Sequence, residues 1–245
     1  MNDVIQLIKN HRSIRKFKEK PLNEEQINAI VEAAQSASTS SYYQAYSIIN
    51  ITDPKLKHEL RQVSGQSYVE NNPNLFVFCA DMNRMMTSQS EEIQEKMKQN
   101  IENTEFFMMA TIDTALAAQN AVIAAESMGL GICFIGSLRN NIKRVNDLLK
   151  LPKYVIPLFG IVVGYPNENP ELKPRFNTDA ILFENEYHLK KEAIEVYNKT
   201  TESYYEKRST NNRKDNWSHQ IGRKLTKPIR MDVASFVQSK GLNKH

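Results

Sequence analysis

Apolar residues recur along this chain at two spacings, and the switches between them mark out the elements. Val4, Ile5, Leu7 and Ile8 predict a short amphipathic helix. Ile27, Ile30, Val31 and Ala34 form a second helical stripe to about Ser36. It is opened by Asn23 as N-cap with Gln26 three residues on, a capping-box pattern. Residues 46–51 read as a strand, and Asp53-Pro54 opens a short helix through Leu60 and Val63. In the loop at 64–68, Gly65 suggests an unusual backbone angle. Residues 75–80 are apolar on both faces, which predicts a central strand covered by helices.

The stretch 82–103 is polar, with Met82, Met85, Met86 and Met97 set among charges. Its periodicity leaves two readings open, an exposed helical excursion or a mobile flap on the substrate side. Residues 106–128 form the clearest long helix, apolar on most of its circumference, with Asp113, Gln119, Asn120 and Glu126 as exceptions. So wide an apolar face needs partners on more than one side, either inside a monomer or across a dimer interface. Gly129 and Gly131 then lead into a short strand at 132–135. A helix at 142–149 closed by Pro152, a buried strand at 155–164 and a proline-rich connection at 166–174 follow. Helices are expected at 187–207, 217–226 and 230–240, with a polar loop at 209–212. No G-x-G-x-x-G follows a strand and no G-x-x-x-x-G-K-[ST] occurs, so neither a doubly wound dinucleotide fold nor a P-loop is indicated.

The chain has 245 residues, 40% hydrophobic and 24% charged, enough for one sizeable core or two small ones. The most apolar runs, near 74–80 and 154–163, have strand length, and no membrane span is expected. Asp3 and the lack of an apolar leader favour the cytoplasm. Cys79 and Cys133 sit in apolar surroundings and read as buried core thiols, and the five histidines show no metal-ligand spacing. The net charge of +4 is spread along the chain. Its most basic region, 207–230, is interrupted by Asp215 and carries no nucleic-acid signature, so a small anion explains it with fewer assumptions.

The densest cations stand in His11-Arg12-Ser13-Ile14-Arg15-Lys16-Phe17-Lys18. Arg12 and Arg15 are three apart with a hydroxyl between them, so a tight turn or helical start would aim both guanidiniums at one anion. Ile14 and Phe17 would pin the cluster to a core. This is the pattern of a phosphate clamp. Lys173-Pro174-Arg175 is a second compact cation pair.

Taken with Ser38-Thr39-Ser40-Ser41, Gly65-Gln66 and Cys133-Phe134-Ile135-Gly136-Ser137-Leu138-Arg139-Asn140, these segments resemble the oxygen-insensitive nitroreductase and flavin reductase family. The NADPH-preferring subgroup is the most similar, and the resemblance covers essentially the whole chain. It implies an α+β fold with a central, mostly antiparallel sheet flanked by helices, a long central helix and a C-terminal helical extension. It further implies a homodimer with FMN at the subunit interface, passing a hydride from NADPH to nitroaromatics, quinones or flavins in a ping-pong cycle. An FMN-binding core over 1–185 is expected, with an extension at 186–245 embracing the partner subunit and carrying the NADPH loop. Neither nucleic acid nor membrane is an expected partner.

Position by position, the resemblance assigns His11, Arg12, Ser13, Ile14 and Arg15, with Lys173 and Arg175, to the FMN phosphate and ribityl chain. Thr39 falls at a family serine, and Gln66 and Tyr68 at flavin contacts. Phe134, Ile135, Gly136 and Ser137 match the loop over the ring, and Arg208 and Arg213 the readers of the NADPH 2′-phosphate. No catalytic side chain is implied, since the cofactor carries the redox chemistry. Ser137 departs from the usual glycine. If that glycine serves a positive φ, serine there costs roughly 1 kcal/mol. The alternatives are a flavin reductase supplying reduced FMN or reducing disulfides, and a non-catalytic flavin-binding protein.

Overall fold

The computed structural model describes residues 2–245. The helices expected to open at Asn23 and at Asp53-Pro54 begin there. Helix α1 (Asp3–Lys9) is capped by Asn2, whose side chain accepts from the Ile5 N–H. Helix α2 (Glu24–Gln35) carries the capping box in full. The Gln26 N–H donates to Asn23 Oδ1 at 2.8 Å, and the Asn23 N–H donates to Gln26 Oε1 at 3.2 Å. Helix α3 (Pro54–Ser64) has Asp53 as its N-cap and ends on Gly65 at φ 69°, the left-handed angle expected of that glycine.

Four strands make one sheet, β1 (Tyr46–Ile51), β2 (Asn74–Asp81), β3 (Gly131–Ile135) and β4 (Val155–Gly164), in the order β1-β2-β4-β3. All the neighbouring pairs are antiparallel. Every residue of β2 is buried, as its apolar run on both faces requires. Alternation sends Phe76 and Phe78 to one face, against α2 and helix α6 (Thr104–Ser127). Leu75, Val77 and Cys79 go to the other, against α3 and helix α7 (Ile142–Leu148). Both thiols, Cys79 and Cys133, lie in that second layer, where burial first and then Asp81 push the Cys79 thiol up to about 12.

The methionine-rich stretch is helical, as one of its two readings has it, and mostly exposed over 87–100, but it is anchored at both ends. It forms helices α4 (Asn83–Thr87) and α5 (Glu91–Ile101), and Met82, Met86 and Ile101 are buried in a third cluster with Met109, Ala110 and Ile156. Unbranched methionine fills such an irregular junction well. Helix α6 is long and apolar enough to cross a membrane by length and composition, a property that its interrupting polar residues concealed. Here one side is buried against α2 and the sheet, while Met108, Ile112 and Leu116 form an exposed stripe on the other.

The compact units divide at 170/171 and 229/230, so the C-terminal region is an insertion rather than a tail. Residues 230–245, with helix α10 (Val233–Ser239), rejoin the first unit. Val237 and Leu242 are buried there, the Tyr154 N–H donates to the Lys240 carbonyl at 2.9 Å, and the Thr104 N–H to the His245 carbonyl at 3.0 Å. The second unit, 171–229, holds helices α8 (Lys191–Lys207) and α9 (Trp217–Leu225) around Phe176, whose ring lies 3.9 Å from that of Tyr197 and 5.1 Å from that of Trp217.

The basic segment 11–18 runs extended beside the sheet. Ser13 bridges Ile132 in parallel, the Ile14 N–H donates to the Ile132 carbonyl at 2.8 Å, and the Lys18 N–H to the Tyr165 carbonyl at 2.9 Å. Ile14 is buried and Phe17 partly so, and these are the residues expected to pin it. The approach is close enough that a Cβ on Gly131 would lie 2.6 Å from Ile14 Cγ1. Gly131→Ala is therefore expected to lose about 1–3 kcal/mol of stability in urea unfolding. Adding Ile14→Ala should recover part of that loss, a coupling absent if the two sites were independent.

Candidate functional site

An extended backbone changes what the basic segment can do. In a turn Arg12 and Arg15 would converge, but along a strand side chains alternate between faces. The two guanidiniums have different neighbours here. Arg15 and Tyr68 are hydrogen-bonded, with Cys133 beside them and in reach of both Tyr68 and Ser13. Burial first, and then Cys133, push the Tyr68 hydroxyl up. Arg12 instead lines a cavity of about 240 Å3 with Leu7, Asn10, Ile14, Glu126 and Glu168. Its Nε is buried with no hydrogen-bond partner among the described residues.

Both carboxylates at that cavity are already engaged. Glu126 Oε1 stands 2.6 Å from His11 Nδ1, which leaves His11 only Nε2 and its backbone for a ligand. Glu168 Oε1 accepts the Arg15 N–H at 2.6 Å and the Lys16 N–H at 3.2 Å. A buried guanidinium donor without an acceptor among the described residues is open to an acceptor oxygen of a ligand.

Thr39 precedes a 3-10 turn over Ser40–Tyr42 in a loop with left-handed backbone at Ser41, Tyr42 and Gln44. Gln66 and Tyr68 follow α3 in a loop held by Asn72, whose Nδ2 donates to the carbonyls of Tyr68 at 3.0 Å and Val69 at 2.8 Å. Lys57 is buried and its Nζ donates to the Asn72 carbonyl at 3.1 Å, and burial pulls its pKa down. Phe134 is the exposed residue of β3, with its edge on Phe159 at 5.5 Å, while Ile135 is buried. Gly136 and Ser137 open a 3-10 turn over Gly136–Asn141, and neither has a positive φ. Ser137 therefore carries no left-handed strain, and the conditional cost does not arise. Arg139 donates to the Leu158 carbonyl and secures this turn.

In the second unit, Lys173 and Arg175 are exposed, and the Arg175 guanidinium donates to the Lys173 carbonyl at 2.9 Å. Arg208 follows α8 and lines a cavity of about 330 Å3 with Leu172, Pro174, Ser203 and Tyr204. Its Nε is also buried without a partner among the described residues. Arg213 is committed elsewhere. Its Nε donates to buried Asp215 Oδ2 at 3.1 Å, its second nitrogen to Gln220 Oε1 at 3.2 Å, and its guanidinium lies 4.1 Å from the centre of the Tyr205 ring. The loop between the two arginines is tethered as well. The Ser209 hydroxyl and N–H donate to Glu171 Oε1 at 2.6 and 3.0 Å, which holds the Glu171 carboxyl at about 2.

Sequence reasoning did not assign Asp113, Glu126, Glu168 or Arg139. Asp113 and Glu126 had a signal, as acids on an otherwise apolar helix. Arg139 stood inside the 133–140 motif without a role of its own, and Glu168 had no signal.

A model of the nitroreductase family matches residues 8–165, and one of that family's C-terminal domain matches residues 173–245. The chain is 46% identical over 250 residues to the FMN reductase (NADPH) of Bacillus subtilis, covering 100% of both. It is 46% identical over 245 residues to an NADPH-dependent oxidoreductase of Staphylococcus aureus, covering 98% of this chain and 97% of that one. Among solved structures, B. megaterium NfrA1 superposes with a TM-score of 0.95 at 49% identity, over 99% of this chain and 100% of that one. The NADPH:FMN oxidoreductase of Vibrio harveyi complexed with NAD+ superposes with a TM-score of 0.90 at 37% identity, over 100% of both.

Arg223 first, and then Arg213, hold the Asp215 carboxyl below its ordinary value. Its stabilising contribution is therefore complete above the unfolded value near 3.9 and is lost as pH falls through the folded value. The single tryptophan, Trp217, lies in the same unit and reports its unfolding by fluorescence. Between pH about 5 and 3 the Trp217 melt of the native chain should fall more steeply than that of Asp215→Asn.

Proposed function

Because the chain belongs to the nitroreductase family, we propose that it is an FMN-dependent oxidoreductase drawing on NADPH and reducing nitroaromatics, quinones or flavins. The observation that carries the reading is the unpartnered, buried Nε of Arg12 at a cavity on a segment pinned to the sheet. When bound, FMN supplies the redox chemistry, taking hydride from the reduced nicotinamide in one half-reaction and reducing the acceptor in the next. The chain's own residues bind and orient. Arg12 offers its open guanidinium donor to the phosphate, and Ser13 and Arg15 offer a hydroxyl and a second guanidinium to the ribityl chain. The Gln66 amide presents both a donor and an acceptor to a polar ring edge, and Tyr68 fixes Arg15 beside it. Exposed Phe134 supplies an apolar surface, and Ile135, Gly136 and Ser137 supply backbone from a turn of ordinary geometry.

Arg208 is the reader of the extra phosphate of NADPH, since its Nε has no partner of its own. Arg213 shapes the loop through Asp215. The working form is a homodimer, supported by the exposed stripe of Met108, Ile112 and Leu116 on α6 and by exposed Val4, Ile5 and Ile8 on α1. We place it in the cytoplasm. Free FMN is one acceptor, supported by the name of the B. subtilis relative.

The purified protein should be yellow and should bleach anaerobically with NADPH; a colourless FMN-treated preparation, or colour that persists under NADPH, would refute the assignment. Arg15→Ala should raise the FMN dissociation constant roughly 10- to 100-fold in a fluorescence titration. Arg208→Ala should raise the KM for NADPH roughly 10-fold and leave that for NADH near its native value. Arg213→Ala should chiefly lower the Trp217 melting temperature, and equal loss of NADPH preference in both variants would contradict the division of roles.

A further inference from the structure

The loop from Thr39 to Ala45 is unusual in its backbone. Ser41, Tyr42 and Gln44 all have positive φ, at 45°, 60° and 51°, and none is glycine. Side chains disfavour this region, so a cluster of such angles persists only where surrounding contacts impose it. Tyr42 gains nothing by packing, since it is 82% exposed. The constraint comes from below. Asp113, 1% exposed on α6, accepts the Ser40 N–H on Oδ1 at 2.9 Å and the Ala45 N–H on Oδ2 at 3.2 Å. One carboxylate thus closes the loop at both ends, and no other group bonds to both of these amides.

Other contacts clamp the outgoing side. Arg84 donates to the carbonyls of Gln44 at 3.4 Å and Tyr46 at 3.3 Å and to Ser47 Oγ at 2.9 Å. Ser47 in turn donates to Asp81 Oδ2 at 2.5 Å. The Tyr43 ring rests 6.0 Å from Phe106. The result is a strained arch held through its backbone by a buried anchor that makes no hydrogen bond to the side chains of Thr39 to Ser41 among the described residues.

From this geometry we infer that Asp113 is a positioning residue for the flavin reaction, holding the 39–45 arch so that Thr39 meets the cofactor. The inference rests on the FMN oxidoreductase reading above. It explains why the mostly apolar buried side of this helix carries a buried acid. Burying that acid costs stability, and the two backbone bonds offset the cost only if the arch keeps its shape.

Two substitutions test it in the FMN-loaded protein. Asp113→Asn keeps the volume but presents one acceptor oxygen and an NH2 group, so only one of the two amides keeps its partner. Ser40→Pro leaves Asp113 in place and removes the Ser40 N–H together with its hydroxyl, so it is read against Ser40→Ala, which lacks the hydroxyl alone. Thr39 is already extended at φ −130° and ψ 151°, as a residue before proline must be, and proline suits the first position of a helical turn. Asp113→Asn and Ser40→Pro should each raise the FMN dissociation constant roughly 10-fold and shift the visible flavin spectrum, while the KM for NADPH moves less. Variants that lose melting temperature but keep native FMN affinity, spectrum and KM values would overturn the inference and leave Asp113 a purely structural anchor. A third measurement needs no variant: the Ser40 and Ala45 amides should exchange hydrogen far more slowly than the Ser38 amide, and equal rates would overturn the inference even if both variants failed to fold. Native protein that binds no FMN would instead refute the functional reading itself, an outcome distinct from native protein that works and variants that match it.

Discussion

The contact on which the rest depends is the pairing of the 11–18 segment with the edge of the sheet. A run so rich in cations has no reason to hold one conformation by itself. Its backbone bonds to Ile132 and Tyr165 fix it, and the burial of Ile14 over a glycine makes the approach close. Once the strand register is set, the positions of Ser13 and Arg15 beside Tyr68 and of Arg12 beside its cavity follow from alternation. Electrostatics then operates on a frame made by hydrogen bonds and packing.

Helix α6 ties this segment to the others. Its alanine-rich side seats against the sheet and α2, bringing its backbone close to both. From that helix two acids reach in different directions, Asp113 to the 39–45 loop and Glu126 to His11. A helix that buries its apolar stripe cannot rotate without exposing it, so the acids are fixed in direction by hydrophobic packing elsewhere. The opposite, exposed stripe of the same helix gives it a second apolar surface, and one element thereby serves core, site and candidate interface.

Cations in this protein divide by what already satisfies them. Arg139, Arg213 and Lys57 have acceptors within the chain and act as fasteners of turns and loops. Arg12 and Arg208 keep a buried donor without one. Desolvated donors left open cost free energy in the free protein, and that cost is recovered only when an anion arrives. On the proposed reading, this distinction singles out these two as ligand-facing more sharply than net charge or clustering can.

Much of the fold was legible in the residues alone because it depends on local signals. The capping box at Asn23 and Gln26, the turn at Gly65, the central position of β2 and the long helix near 106–128 each follow from spacing, propensity or one residue's steric freedom. The motifs that carry the candidate residues were also visible in order along the chain. What residue order could not supply was direction and partnership. It suggested convergence of Arg12 and Arg15, whose guanidiniums have different neighbours here. It left Met82 and Met86 outside a core that closes only when distant segments meet, and it extended the C-terminal region to the last residue although 230–245 return to the first unit. The pairing of Arg213 with Asp215 and the grip of Asp113 on Ser40 and Ala45 are likewise matters of tertiary placement. Local sequence dictates which backbone shapes are cheap, and only the packed chain decides which polar groups find an acceptor and which are left to bind something else.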